Sequence, residues 1–255
     1  MKVPLPEVFL TIPLAHRALH DVTDGRPENS RAAIRAAIDA GYGIEIDVQQ
    51  SADAQAMVFH DDTLDRLADG SGPVRAQTAG QLSRLRLRGG DEAIPDLPEV
   101  LDLVAGRVPL LIEIKDQDGA MGPDIGPLEE AVAAALEGYT GSVAVMSFNP
   151  HSVRRMAALC PDLPRGLVTD GYDPAHWELP VAICERLRGI PDYDAAECSF
   201  ISHNMHDLTR QRVTELKASG ASILCWTVKS PQDEALAREV AQNITFEQYR
   251  AALPA

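Results

Sequence analysis

The amino-acid sequence predicts an α/β fold, and within that class a barrel of parallel strands surrounded by helices. Short segments rich in β-branched residues alternate with Ala-rich helical segments along the chain, as expected when helices cover a largely parallel sheet. The chain has 255 residues, and one α/β barrel typically takes about 250 residues. The length allows one large domain as readily as two, and we expect residues 1–255 to form a single barrel domain.

Nine segments have the composition of strands. They are residues 9–16, 44–48, 57–60, 109–115, 143–148, 166–169, 199–203, 223–228 and 244–247. Helices are predicted between several of them, where capping residues, Pro or Gly mark the ends, at residues 30–40, 127–137, 150–159, 208–219 and 231–241. Nine strands are one more than an eight-stranded barrel requires. Only eight residues separate Val48 from Met57, too few for a crossover helix, so this connection is expected to be irregular.

The segment 61–95 interrupts the alternation of strands and helices. It contains short helical pieces, many charged residues and five glycines. Such a long irregular segment inside a barrel predicts an inserted cap over one end of it. Within the segment, Leu82, Leu85 and Leu87 alternate with three arginines, a pattern typical of a half-exposed strand.

Charge and cysteine content restrict the partners and the compartment. Lys and Arg number 23 against 38 Asp and Glu, a formal net charge of −15, which repels nucleic-acid phosphates and anionic lipid surfaces. No apolar run approaches the roughly 20 residues that cross a bilayer, and Pro4, Pro6 and Glu7 interrupt the start before a signal-type core forms. The four cysteines lack the spacing of a metal knuckle or of a dense disulfide framework. We expect a cytoplasmic protein with reduced thiols, no nucleic-acid partner and no stable membrane association.

Three carboxylates lie on strands that are otherwise apolar. Glu45 and Asp47 are two residues apart, so strand geometry directs both to one face. Inside a barrel, two adjacent anions are costly unless a cation lies between them, which favours a divalent metal; on a half-exposed edge strand, both would lie in water. Glu113 and Lys115 repeat this spacing at the end of a later strand, where barrel enzymes place their sites. Glu113 can supply a third oxygen ligand and Lys115 can contact a phosphoryl oxygen, although a solvated ion pair explains these two as well. All-oxygen ligands favour Ca²⁺ or Mg²⁺ over Zn²⁺.

Two histidines, His16 and His60, end predicted strands at matching positions. A lone histidine is more often structural than catalytic, but a pair beside three carboxylates favours a general acid and a general base. Arg17 adds a planar guanidinium suited to binding a phosphate. The sequence therefore predicts a site for proton transfer next to a metal.

Two aromatic residues end strands in a chain that is only 5% aromatic. Phe148 and Trp226 either pack in the core or form a wall around the apolar or cationic part of a substrate. The sequence His-Asn-Met-His at 203–206 could bind a metal in isolation, but we interpret it as a loop.

Taken in chain order, the motifs of this sequence closely resemble those of the glycerophosphodiester phosphodiesterase family, and the resemblance spans most of the chain. The matching segments are His16-Arg17, Glu28-Asn29-Ser30, Glu45-Ile46-Asp47, His60-Asp61-Asp62-Thr63-Leu64-Asp65-Arg66, Glu113-Ile114-Lys115, Ser147-Phe148 and Trp226-Thr227-Val228. The histidine thirteen residues after Asp47, followed by Asp61 and Arg66, is especially specific.

The resemblance implies a (β/α)8 barrel, known as a TIM barrel, with a small inserted subdomain. It implies an enzyme that binds a divalent cation and hydrolyses glycerophosphodiesters to glycerol 3-phosphate and an alcohol. By position, it implies metal ligands at Glu45, Asp47 and Glu113, an acid and a base at His16 and His60, and phosphate contacts at Arg17 and Lys115. Glu28 falls where the family often has a carboxylate facing the site, and a capping role with Asn29 and Ser30 explains it equally well.

The sequence departs from the family pattern in three places. Ala18 follows His-Arg where the family usually has glycine, and residues 51–54, Ser-Ala-Asp-Ala, replace its usual Thr-x-Asp-Gly turn. The last strand ends Thr245-Phe246-Glu247 where Asp commonly follows Thr. Ala18 adds a Cβ beside the expected site and therefore affects how closely the backbone approaches the substrate.

Two other functions remain open at this point. The first is a lysophospholipase D or another phospholipase-like barrel, which would need an apolar groove or an interfacial loop. The second is a catalytically silent barrel that binds a phosphodiester. The sequence shows no serine or cysteine nucleophile motif, so the favoured mechanism uses the glycerol 2-hydroxyl of the substrate as nucleophile and passes through a cyclic phosphate.

Overall fold

The computed structural model describes residues 2–254 and places the strands of that range in one sheet. The strands are β1 Leu14–Ala15, β2 Gly43–Gln50, β3 Ala56–Val58, β4 Leu110–Ile114, β5 Val143–Ser147, β6 Arg165–Thr169, β7 Phe200–Asn204, β8 Ser222–Val228 and β9 Asn243–Phe246. All except β3 are parallel to their neighbours, and β1 pairs with both β2 and β9. These eight strands therefore close into a TIM barrel, as the sequence predicts.

The helices of the described residues are α1 Val8–Thr11, α2 Arg31–Ala40, α3 Ala79–Leu82, α4 Leu97–Val104, α5 Leu128–Ala135, α6 Pro150–Leu159, α7 Val181–Arg188, α8 Gln211–Ala218 and α9 Pro231–Ala237. Helix α1 precedes β1 and α3 lies in the segment 61–95, whereas the other helices connect successive barrel strands on the outside. The five predicted helices are all present. Helices α4 and α7 are not among the predicted ones. None of the helices within residues 2–254 is both long and apolar enough to cross a membrane.

The first predicted strand, residues 9–16, is wrong over most of its length. Residues Val8–Thr11 form one helical turn, and only Leu14 and Ala15 are extended and paired. Pro13 has no N–H to donate to a sheet, so the strand starts after it. The buried Phe9 belongs with Leu14 to an apolar cluster that includes residues of five other barrel strands, which explains why the pattern of this apolar segment resembles that of a strand.

The connection between residues 48 and 57 is a hairpin. Strand β3 runs antiparallel to the end of β2, with Val48 opposite Val58. A hairpin needs no crossover helix, so β3 is the strand beyond the eight of the barrel. The predicted irregular connection is confirmed.

The segment after β3 has a small apolar core of its own. Its buried residues are Met57, Phe59, Leu64, Ala68, Val74, Leu82, Leu87 and Ile94. Leu82 and Leu87 are buried while the neighbouring arginines are exposed. The predicted half-exposed strand is nevertheless absent from the described residues here: residues 79–82 are helical, and Leu87 takes part only in an isolated bridge to Ala68.

Strand register brings the predicted site together. Strands β2 and β4 are neighbours, and Asp47 lies opposite Glu113. His16, Lys115, Phe148 and Glu247 each follow directly after the last residue of a strand. Because the strands are parallel, these positions all lie at the carboxyl end of the barrel, where barrel enzymes have their sites.

Candidate active site

Three buried carboxylates converge inside the carboxyl end of the barrel. Glu45 and Asp47 are each 1% exposed and Glu113 is 7% exposed. Each has an oxygen within 4.8 Å of an oxygen of the others. The alternative of an edge strand with Glu45 and Asp47 in water is therefore wrong.

Backbone and side-chain donors hold the three carboxylates in place. Glu45 accepts a hydrogen bond from the backbone N–H of Arg17 at 2.9 Å, and Asp47 accepts one from Asn29 at 3.0 Å. Lys115 Nζ lies 2.8 Å from Glu113 and 3.2 Å from Asp47. The Lys115 side chain is only 16% exposed, so the alternative of a solvated ion pair is wrong as well.

The electrostatics of this cluster leave negative charge uncompensated. Burial, together with repulsion by Asp47 and Glu113, raises the pKa of Glu45 well above its usual value. Although burial opposes ionisation of Asp47, the nearby Lys115, His60 and Arg17 hold its pKa below the usual range. A converging set of carboxylate oxygens with excess negative charge is the environment that a hard divalent cation requires. The residues present therefore fit such a cation.

Each of the two predicted histidines has a carboxylate partner on Nδ1. His16 Nδ1 lies 2.7 Å from Glu247 Oε2, and His60 Nδ1 lies 2.7 Å from Asp61 Oδ1. Burial lowers the pKa of His16, although the hydrogen bond to Glu247 opposes this effect. A carboxylate on Nδ1 orients the ring and leaves Nε2 to exchange a proton with a substrate.

Glu247 is a site residue that the sequence analysis did not identify. Its Oε1 lies 2.8 Å from Lys229 Nζ. Although burial opposes ionisation, the hydrogen bond with His16 and the nearby His20 and Lys229 strongly lower the pKa of Glu247, so it is ionised at neutral pH. The available signal was its position: a carboxylate directly after the last strand lies at the same end of the barrel as His16.

Glu28 joins two arginines at the edge of the site. It accepts a hydrogen bond from Arg17 Nη1 at 2.7 Å and from Arg66 Nη1 at 3.0 Å. Arg66 in turn donates to Asp61, the partner of His60, at 2.6 Å. Ser30, not Glu28, caps α2 by accepting from Ala33 N. This chain of ion pairs connects the arginine after β1 with the loop that carries His60.

The histidines and carboxylates share one cavity. It has a volume of about 100 Å³, and its lining includes His16, Arg17, Glu45, Asp47, His60, Glu113, Lys115, Phe148 and Trp226. A groove of about 660 Å³ shares His60, Glu113, Lys115 and Phe148 with this cavity. All nine predicted site residues therefore border the same space.

The aromatic residues form one wall of the site. The Phe148 ring centroid lies 5.6 Å from that of Trp226 and 5.3 Å from that of Trp177. Trp226 is half-buried and donates a hydrogen bond to the Ser202 carbonyl. Trp177 lies in an irregular loop between β6 and α7, where no strand pattern marks it, and the sequence analysis did not identify it.

The His-Asn-Met-His sequence lies apart from the metal-ligating clusters of the described residues. His203 belongs to β7 and is buried, and its ring nitrogens lie 2.8 Å from Thr169 Oγ1 and 3.1 Å from Asp207 Oδ2. Residues Met205–Asp207 form a single 3₁₀ turn. The prediction of a loop is therefore wrong for His203, which has a structural role in the sheet.

Comparison with known proteins agrees with the geometry. Residues 16–244 match the sequence model of the glycerophosphoryl diester phosphodiesterase family. The Bacillus subtilis (strain 168) protein YhdW is 30% identical over 87% of this chain and 88% of its own length. A glycerophosphodiester phosphodiesterase from Caldanaerobacter subterraneus is 28% identical over 88% of both chains.

Solved structures agree as well. A phosphodiesterase from Oleispira antarctica, in complex with the product sn-glycerol-3-phosphate, superposes with a TM-score of 0.73 and 25% identity over 93% of this chain and 94% of the other. The chain therefore belongs to the glycerophosphoryl diester phosphodiesterase family and is an enzyme of that class.

Proposed function

We propose that this protein hydrolyses glycerophosphodiesters of small polar alcohols to glycerol 3-phosphate and the alcohol, with a divalent cation at Glu45, Asp47 and Glu113. One observation carries the proposal: two histidines, each with a carboxylate on Nδ1, border the same cavity as three converging carboxylates. This arrangement supplies one group to remove a proton and a second to deliver one. We also propose that the whole chain is one catalytic domain, with the segment 61–95 as a cap beside the groove.

The three carboxylates would hold the cation through oxygen atoms alone, which favours Ca²⁺ or Mg²⁺. The bound cation would polarise a phosphoryl oxygen and offset the charge of the carboxylates. Lys115 and Arg17 border the same cavity and would contact the remaining phosphoryl oxygens. Lys115 reaches both Asp47 and Glu113, so its position is fixed before the substrate arrives.

The histidines would carry out the proton transfers. In the first step, one imidazole removes the proton of the glycerol 2-hydroxyl while its oxygen attacks phosphorus. The other imidazole protonates the alcohol oxygen as its bond to phosphorus breaks, leaving a cyclic phosphate that joins glycerol carbons 2 and 3. In the second step, the roles reverse and water opens the ring to give glycerol 3-phosphate.

The groove favours a small polar alcohol over a lipid. Its lining includes Asp61, Asp62, Arg75, Asp116 and Asp118 beside the aromatic wall. Charged side chains lose hydration if an acyl chain covers them, whereas aromatic faces and carboxylates suit a cationic head group. The groove therefore supports the glycerophosphodiester proposal over a phospholipase-like activity, and the complete histidine pair supports it over a silent binding protein.

We propose a cytoplasmic location. All four cysteines are unpaired thiols, and three of them are buried. Proteins in reducing compartments typically keep their cysteines as free thiols.

The test of the proposed function is a panel of glycerophosphodiesters with detection of glycerol 3-phosphate, before and after chelation. Exhaustive chelation is expected to abolish turnover, because Lys115 and Arg17 then offset the three carboxylates only in part and no cation polarises the phosphoryl oxygen. Adding Ca²⁺ or Mg²⁺ is expected to restore it. Full turnover by protein shown to be metal-free would contradict the cation requirement.

Thermal unfolding tests cation binding at the three carboxylates independently of turnover. A cation that binds only the folded protein raises Tm, so Ca²⁺ or Mg²⁺ is expected to raise the Tm of the wild type and not that of Glu113→Gln. Glu129→Gln is the matched control, because Glu129 is also a buried carboxylate but lies on α5. It should retain the full cation response.

Glu247→Gln is expected to lower kcat with little change in KM. The glutamine amide can keep a contact with His16 but loses the charge that stabilises a protonated imidazole. The expected loss of kcat is at least about tenfold and smaller than the roughly 10²–10⁴-fold loss expected when a general acid or base is itself removed. Glu247→Asp should recover part of the rate, and Glu239→Gln, which changes an exposed carboxylate, should have no effect. An unchanged kcat in Glu247→Gln would show that Glu247 does not position His16.

A further inference from the structure

A second cluster of metal-ligating groups lies behind His16, on the side of the ring that carries Nδ1. It consists of His16, His20 and Glu247, each of which offers a ligand atom within 4.8 Å of the others. Glu247 Oε2 lies 2.7 Å from His16 Nδ1 and 3.5 Å from His20 Nε2. Two imidazole nitrogens and one carboxylate oxygen are thus close enough together to bind the same metal ion.

The fold builds this cluster from the two ends of the chain. Strands β1 and β9 are parallel neighbours, with Ala15 opposite Phe246, so His16 and Glu247 leave the sheet side by side. After His16, the backbone turns through two residues with positive φ, Arg17 at 51° and Ala18 at 64°. This turn returns the chain toward the sheet and brings the His20 ring to Glu247.

The chemistry of the cluster differs from that of the three carboxylates. Imidazole nitrogen suits Zn²⁺, and two histidines with one carboxylate and an open fourth position form a recurrent zinc site. We infer that His16, His20 and Glu247 form a binding site for one Zn²⁺, separate from the carboxylate cluster. The expected inhibition of turnover by zinc rests on the proposed function, whereas the binding of zinc does not.

The cluster is reachable from outside without passing through the catalytic cavity. A second cavity of about 380 Å³ is lined by His20, Glu247, Tyr249 and Arg26, among others, and not by His60 or Glu113. Lys229 Nζ forms an ion pair with Oε1 of Glu247. The other carboxylate oxygen, Oε2, can therefore bind the metal. Water from this cavity can supply the fourth ligand.

Zinc at this position would change what His16 can do. A metal on Nδ1 forces the imidazole proton onto Nε2, the nitrogen left for the substrate. His16 could then no longer accept a proton, and a neutral imidazole N–H is too weak an acid to protonate a leaving alcohol. Bound zinc is therefore expected to inhibit turnover whichever of the two proton-transfer roles His16 has.

The test compares binding and inhibition in matched histidine variants. Co²⁺ serves as a spectroscopic probe, since tetrahedral Co²⁺ with nitrogen ligands absorbs in the visible range, and Zn²⁺ is then used to displace it. Saturating Mg²⁺ occupies the carboxylate cluster during both the binding and the rate measurements. His20→Ala removes one ligand and His20→Asn checks the result with a second side chain. His206→Ala, which changes a histidine outside the cluster, is the control.

We expect the wild type and His206→Ala to bind one Co²⁺ or Zn²⁺ and to be inhibited by Zn²⁺ at a concentration independent of Mg²⁺. His20→Ala and His20→Asn should need at least about tenfold more Zn²⁺ for both effects, with inhibition expressed relative to the basal rate of each variant. Equal zinc binding in the His20 variants and the wild type, or inhibition that rises and falls with Mg²⁺, would overturn the inference. If the protein cleaved no glycerophosphodiester, the proposed function would fail, and the Co²⁺ spectrum would still decide the zinc site.

Discussion

Replacing His16 or His60 by alanine is expected to lower kcat by roughly 10²–10⁴, which is the usual contribution of a general acid or base. Each ring is held by a carboxylate at 2.7 Å and is mostly buried, with 15% of the His16 side chain and 27% of the His60 side chain exposed. The substrate would lose either the group that accepts its hydroxyl proton or the group that protonates the leaving alcohol. KM should change much less, because the phosphate contacts proposed for Arg17 and Lys115 remain.

The two histidine variants must also be shown to fold, so that a loss of kcat can be assigned to the missing imidazole. Circular dichroism and Tm should be close to those of the wild type in both variants, because each removed ring borders a cavity and is not part of the packed core. His176→Ala is a suitable control, since the His176 side chain is 80% exposed. If either site variant kept a near-normal rate, or lost activity only because it unfolded, the proposed role of that histidine would be withdrawn.

The central residues of the site could be predicted because local rules determine their position. Glu45 and Asp47 are two residues apart on one strand, so both must lie on one face. Lys115 and Phe148 end apolar strands, and parallel strands bring such ends together. No knowledge of distant contacts is needed for these positions.

Contacts between distant parts of the chain could not be predicted in this way. His16 and Glu247 are 231 residues apart, and they meet only because the barrel closes between β1 and β9. Arg66 reaches Glu28 across 38 residues from within the irregular segment, where no periodic pattern fixes its direction. The helical turn at Val8–Thr11 could not be predicted for the same reason, because its apolar residues are buried against residues of distant barrel strands.

The cavity lining of the described residues contains no serine or cysteine that could attack phosphorus. Among the described residues that line it, the hydroxyl groups are those of Thr227 and Thr245. Thr245 Oγ1 is buried without a hydrogen-bond partner, so no base activates it. The substrate itself carries a hydroxyl next to the phosphate, on glycerol carbon 2. An intramolecular attack by this hydroxyl has an effective concentration of about 10⁵–10⁸ M when well oriented, far above that of water.

Removing the glycerol 2-hydroxyl from the substrate is therefore expected to lower kcat by at least about 10³-fold while binding is retained. The proposed phosphate contacts of Lys115 and Arg17 do not depend on this hydroxyl, so calorimetry should give a Kd close to that of the parent diester. An analogue that lacks the far hydroxyl, on glycerol carbon 1, is the matched control, because it can still form the five-membered ring and should be cleaved. With the parent substrate, phosphorus NMR should detect the cyclic phosphate before glycerol 3-phosphate accumulates. Comparable cleavage of the 2-deoxy analogue would mean that water attacks phosphorus directly, and one histidine would then activate that water instead of the substrate.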